Sequence, residues 1–172
     1  MGVEVIDEAL PAGVAEVLRE RFLCEDGWEH RSQKVESRPG DPDPYRAEFD
    51  RHQGLRFYRD VVHAANTLVR PMVEKSWKGR VGSGFDLKCY RMRSGDFFHT
   101  HTDERAGKIG FVLYLVREWF WDWGGVLHSA VGVETVPRFN RLVIITNDVP
   151  HSVSEVMPWA KEPRYTLCGF VR

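Results

Sequence analysis

From Phe85 to the end of the chain, no β-type run exceeds eight residues, and turn residues close each one. The runs are Phe85–Met92, Phe97–His101, Ile109–Val116, Gly125–Ser129, Val131–Thr135, Leu142–Thr146, Ser152–Val156 and Tyr165–Val171. Eight short strands in succession fit a sandwich or barrel. The first half reads differently. Val3–Ile6 is a short apolar strand. Leu10, Val14, Val17, Leu18 and Phe22 recur at helical spacing, with Pro11 suited to a first turn, and predict a helix over 8–23. Val61, Ala65, Leu68 and Met72 predict a second helix over 56–77, which Pro71 should kink or shorten. Residues 38–50 carry three prolines and several acids and read as a solvated loop. The expectation is one domain over 1–172, mainly β, with 1–83 as helical support and loop and 84–172 as the core.

Composition narrows the function classes. A chain of 172 residues can bury roughly 70% of its unfolded surface, enough for a core without staples. The longest apolar run, Ile109–Val116, is far short of the roughly 20 residues of a membrane span. Twenty-four basic residues against 25 acidic ones give a net charge of −1, which disfavours a nucleic-acid partner. Cys24, Cys89 and Cys168 form an odd set without CxxC spacing, and the N-terminus lacks a signal pattern, so a cytoplasmic protein is expected.

The densest polar cluster is His99-Thr100-His101-Thr102-Asp103. Strand alternation puts 99, 101 and 103 on one face, so His101 and Asp103 can bind one ion together. His151 follows 50 residues later, just before a β run. Two imidazoles and one carboxylate make the facial set of mononuclear non-haem Fe(II), with positions left open. An HxD pair by itself is weak evidence and more often describes a surface turn with stray histidines; the order HxD, His, Arg favours the metal. Arg164 shares a strand face with Thr166, Cys168 and Phe170. Turned inward, it needs an anion, which a dicarboxylate cosubstrate or an internal acid would supply. His99 could join the site or stand idle at its mouth, and His128 could face the pocket. Arg91, Arg93 and Arg105 hint at an anionic group. Trp119, Trp121 and Trp123 read as scaffold packing or as an aromatic wall.

Taken together, these residues resemble the prolyl 4-hydroxylase-like branch of the Fe(II)/2-oxoglutarate dioxygenases. The resemblance spans about residues 85–172 and rests on Tyr90-Arg91-Met92-Arg93-Ser94-Gly95-Asp96, His101-Thr102-Asp103, Val112-Leu113-Tyr114-Leu115, Trp123-Gly124-Gly125, Leu142-Val143-Ile144, His151-Ser152-Val153 and Arg164-Tyr165-Thr166. It implies a double-stranded β-helix, a jelly-roll barrel. It implies iron ligands at His101, Asp103 and His151, and a grip by Arg164 on the C5 carboxylate of 2-oxoglutarate, with Thr166 helping. Met92 and Phe98 stand where the family often has tyrosines, so Tyr90 and Tyr114 become candidates for the missing hydrogen bonds. The family's GGxT is Gly124-Gly125-Val126-Leu127 here. Asp103 is the residue that halogenases of the superfamily replace, which implies a hydroxylase or related oxidase and not a halogenase. The implied reaction consumes 2-oxoglutarate and O2, releases succinate and CO2, and hydroxylates a C–H bond of an amino-acid-like metabolite or a peptide residue, in a monomer or homodimer. Two other readings stay open: a cupin-type metal enzyme built on His99-x-His101 with Glu104, and a metal-free jelly-roll binding domain.

Overall fold

The computed structural model describes residues 2–35 and 44–171. Eleven strands form one antiparallel sheet that curls on itself, in the order β1-β9-β6-β11-β4-β3-β5-β10-β7-β8, with β2 beside β3. The strands are β1 (Val3–Ile6), β2 (Trp28–Val35), β3 (Tyr45–His52), β4 (Asp86–Met92), β5 (Phe97–His101), β6 (Ile109–Tyr114), β7 (Leu127–Ser129), β8 (Glu134–Thr135), β9 (Leu142–Thr146), β10 (His151–Val153) and β11 (Arg164–Val171). The predicted jelly roll is therefore the observed architecture.

Strand β3 joins the two walls. Its C-terminal residues 50–52 pair with β4, and its residues 47 and 48 pair with β5. One wall thus runs β4-β11-β6-β9-β1 and the other β5-β10-β7-β8. Alternation on β11 separates two environments. Tyr165 and Leu167 pack outward into the main core, where α1 (Ala12–Cys24) contributes Leu18 and Phe22 and the later helices contribute Val61, Ala65 and Val73. Arg164, Thr166, Cys168 and Phe170 line the space between the walls, the side predicted for them.

The second helical region differs in detail from the reading of 56–77. A 3-10 turn at Leu55–Phe57 leads into α2 (Arg59–His63), a π-helical segment at Ala64–Val69 and α3 (Arg70–Trp77). Pro71 has no N–H to give to an i−4 carbonyl. The chain accommodates it with a wider π turn immediately upstream and keeps its course.

The larger correction concerns β2 and β3. The segment read as a solvated loop over 38–50 contains most of strand β3, which pairs with β2 from Trp28↔His52 to Val35↔Tyr45. Only part of that expected loop, 38–43, lies outside the described residues. No helix among the described residues is long and apolar enough to cross a membrane.

Candidate active site

His101 ends β5 and His151 opens β10, and these strands pair with the two histidines directly opposite each other. Their ring centroids lie 4.4 Å apart. Asp103 follows on the turn after β5, fixed by its backbone N–H, which donates to the Asn147 carbonyl at 2.9 Å. The Nε2 atoms of His101 and His151 stand 3.8 and 3.4 Å from the two Asp103 oxygens. One ligand atom from each of the three residues falls within 4.8 Å of the others.

Each imidazole is oriented from behind. His101 Nδ1 donates to the His99 carbonyl at 2.7 Å, and His151 Nδ1 donates to the Val149 carbonyl at 2.9 Å. Those bonds select the tautomer that leaves Nε2 as a lone-pair donor on the shared side. Burial lowers the His101 pKa, His151 lowers it further, and Asp103 pulls the other way. Burial also opposes charge on His151, but the Asp103 hydrogen bond and the Val149 carbonyl outweigh it, and its pKa is raised. The donor set fits a divalent ion with bonds of about 2.1 Å, which sets neighbouring ligand atoms roughly 3 Å apart.

The cavity beside this cluster has a volume of about 670 Å³. In its wall Arg164 is 3% exposed. Its guanidinium donates to Met92 Sδ at 3.2 Å and to the Tyr114 hydroxyl at 3.4 Å. Its Nε has no partner, and among the described residues no carboxylate pairs with it. A buried cation left this way is costly unless an anion joins it. The chemistry therefore fits the remote carboxylate of a dicarboxylate, and the alternative of an internal acid finds no support among the described residues. Thr166 is buried on the same face, one alternation step along β11, with Tyr90 and Tyr114 opposite it on the flanking strands. Burial raises the pKa of Tyr90 and Tyr114 and pushes the Cys168 thiol up to about 12, so all three are protonated at neutral pH. Met92 occupies the place where a family tyrosine was expected, and its sulfur rests on Arg164.

Gly125 makes room for this arrangement. Its φ is +62°, and a Cβ there would come within 2.9 Å of Arg164 Cδ and 3.2 Å of Trp119. That is a physical reason for the Gly124-Gly125 pair, independent of the altered residues after it.

Several sequence expectations are corrected. His99 does not share the face of His101. Between Phe98 and His101, β5 advances three residues while β10 advances two, from Val153 to His151. This bulge turns Phe98 and His101 to the cavity and leaves His99 exposed against Phe97. The cupin-type pairing of His99 with His101 is thereby lost. His128 pairs with Glu134 at 3.1 Å instead of facing the main cavity. Arg91 and Arg93 pair with the buried Asp50, and only Arg105 of the three arginines lines the cavity. Of the tryptophans, Trp123 is buried and Trp119 donates to the Gly124 carbonyl at 2.8 Å, but Trp121 is exposed. A 3-10 turn at Trp121–Trp123 breaks the alternation that put all three on one face. Tyr45 escaped the sequence reading altogether. Its ring packs 4.8 Å from that of His101.

A jelly roll with two histidines and one carboxylate converging on its interior belongs to the mononuclear non-haem metal enzymes. The family model of the 2OG-Fe(II) oxygenase superfamily matches residues 86–172, and the chain belongs to that superfamily. It is a 2-oxoglutarate-dependent non-haem iron oxygenase, using Fe(II), 2-oxoglutarate and O2. Membership sets aside the cupin-type and metal-free readings. A prolyl-4-hydroxylase of Pseudomonas putida superposes with a TM-score of 0.68 at 21% identity, covering 99% of this chain and 92% of that one. A Trichoplax adhaerens prolyl hydroxylase in complex with a hypoxia-inducible-factor peptide gives 0.64 at 15%, covering 99% and 83%. HygX from Streptomyces hygroscopicus, with nickel, 2-oxoglutarate and hygromycin B bound, gives 0.63 at 12%, covering 98% and 81%. At these identities the likeness is one of fold. No curated protein sequence matches the chain.

Proposed function

We propose that this oxygenase hydroxylates an unactivated C–H bond of a small amino-acid-like molecule or a peptide residue, with release of succinate and CO2. In this reading His101, Asp103 and His151 hold Fe(II), and Arg164 holds the C5 carboxylate of 2-oxoglutarate. The single observation that carries it is the buried, acid-free guanidinium of Arg164 in the same cavity as the three convergent ligands. Bound iron with 2-oxoglutarate supplies the activation of O2 and the oxidising equivalents for the C–H bond.

The chain's own residues do the rest. Arg164 neutralises the cosubstrate's remote carboxylate, and Thr166 and the Tyr114 hydroxyl offer it further hydrogen bonds. Tyr90 flanks the same space and keeps its proton as a donor. The backbone carbonyls of His99 and Val149 hold each Nδ1–H and keep both imidazoles aimed with Nε2 toward the shared site. Asp103 supplies the one negative charge of the ligand set. Phe98, Val153 and Leu127 line the cavity with apolar surface and limit water around the reacting groups.

The test is a screen of free amino acids and short peptides. Succinate release should rise above the rate without substrate, accompanied by a product 16 mass units heavier. In the Asp103→Ala variant both should vanish. Full succinate release in that variant would overturn the ligand assignment.

A further inference from the structure

After the proposed iron ligands and Arg164 are assigned, the cavity keeps three more cations. Arg51 comes from β3, Lys88 from β4, and Arg105 from the turn that follows Asp103. Among the described residues, Glu104 is the one acid left in the lining. This excess of positive charge stands in a chain whose net charge is −1.

The strand register places these cations. Arg51 sits opposite Tyr90, and Lys88 is two residues from Tyr90 on the same face of β4. Lys88 lies opposite Cys168, whereas Arg164 lies opposite Met92. Four residues of β11 separate the two positions, roughly 13 Å at a strand's rise. The Arg105 turn leads to Lys108, whose N–H donates to the Val171 carbonyl at 2.8 Å, at the same far end of β11. The cavity therefore has Arg164 at one end, Lys88 and Arg105 toward the Phe170 end, and Arg51 two strands across from β11 at the level of Thr166, on the same face of the sheet as Lys88.

The three cations differ in how far they are engaged. Lys88 has Asp86 at 3.0 Å. Arg51 is half-buried and meets the side-chain oxygen of Gln53; among the described residues no carboxylate pairs with it or with Arg105. A five-carbon diacid spans roughly 6 Å at ordinary bond lengths and cannot reach both ends. Between them, Tyr90, Phe49, Phe98 and Phe170 give the cavity aromatic walls.

We infer that Arg51, Lys88 and Arg105 form a second anion subsite, which takes the carboxylate of a substrate with an apolar body. The substrate class is thus a small organic acid. This rests on the proposed function, because Arg164 must be reserved for 2-oxoglutarate. The subsite fixes which end of the substrate enters last and leaves its apolar C–H groups deeper in the cavity.

The test uses benzoate and its neutral isostere benzamide. Protein loaded with Mn(II) under argon is first titrated calorimetrically with 2-oxoglutarate, then at saturation with either probe. Benzoate should bind at least about tenfold more tightly than benzamide, and Arg51→Gln and Lys88→Gln should each weaken benzoate about tenfold, as loss of a charge-assisted hydrogen bond predicts. The affinity for 2-oxoglutarate should stay unchanged in both variants, which also reports that they fold. Equal binding of the two probes, no binding of benzoate, or indifference to both substitutions would overturn the subsite. Failure of 2-oxoglutarate itself to bind the wild-type protein would instead overturn the assignment of Arg164, and is seen in the first titration.

Discussion

Arg164 holds a full charge behind Met92 and Tyr114 with its Nε unpartnered, so its removal should act on one ligand selectively. In Arg164→Ala, 2-oxoglutarate should bind about 10- to 100-fold more weakly, the range for a hydrogen bond to a charged group, while metal affinity stays near wild type. Calorimetry with Mn(II) and then 2-oxoglutarate separates the two; equal loss of both would mean that the residue is structural. Gly125 offers a complementary test. Gly125→Ala forces a Cβ onto Arg164 and Trp119 at a positive φ and should cost about 1–3 kcal/mol in urea unfolding. A variant as stable as wild type would contradict that packing. The convergence of His101, Asp103 and His151 was legible from their residue types, their order and the family resemblance, and the inward face of Arg164 from the alternation of β11. His99 was misplaced because a bulge of one residue shifts the face, and bulges leave no mark in an alternating pattern.

At the level of elements, the late strands were legible and the β2–β3 hairpin was not. The runs after Gly84 are apolar enough to show their period. Strand β2 reads WEHRSQKV, and β3 carries Arg46, Glu48, Asp50 and Arg51 among its apolar residues. The hairpin is held instead by charge. Asp50 is buried and accepts from Arg91 and Arg93, and His30 reaches both Asp50 and Glu48. Such pairing between residues far apart in the chain cannot be read from a local window, and Tyr45 was hidden with it. A second ionic tie joins the end of β1 to the turn before β9. The Arg141 hydrogen bond, aided by Arg138, holds the Asp7 carboxyl below its ordinary value. A depressed folded pKa stabilises the fold above the unfolded value of about 4, and the contribution is lost as pH falls through the lower folded value. Asp7 is partly exposed, so Asp7→Asn should cost at most about 1 kcal/mol at pH 7. Urea melts should show that gap closing as the pH is lowered below 4. A gap that widens on acidification would contradict the sign.

For the molecule as a whole, the two walls of the jelly roll meet at the cavity. His101 and His151 stand on one wall and Arg164 on the other. Ligands that bridge the walls should therefore stabilise the entire fold. With Mn(II) and 2-oxoglutarate each supplied well above its dissociation constant, a 100-fold excess contributes about 2.7 kcal/mol per ligand. For a domain of this size that raises the Tm by roughly 5–10 °C per ligand. 2-Oxoglutarate should add its share only when metal is present, and a thermal shift from 2-oxoglutarate alone equal to that with metal would speak against a shared site.

In the proposed arrangement one cavity holds iron on His101, Asp103 and His151 and 2-oxoglutarate on Arg164. Anaerobic titration with Fe(II) and then 2-oxoglutarate, followed by visible absorbance, tests it most directly. A weak charge-transfer band should appear only after both additions, vanish in Asp103→Ala, and require much more 2-oxoglutarate in Arg164→Ala. Iron demonstrably bound with no band at saturating 2-oxoglutarate, or a band unchanged in both variants, would contradict it.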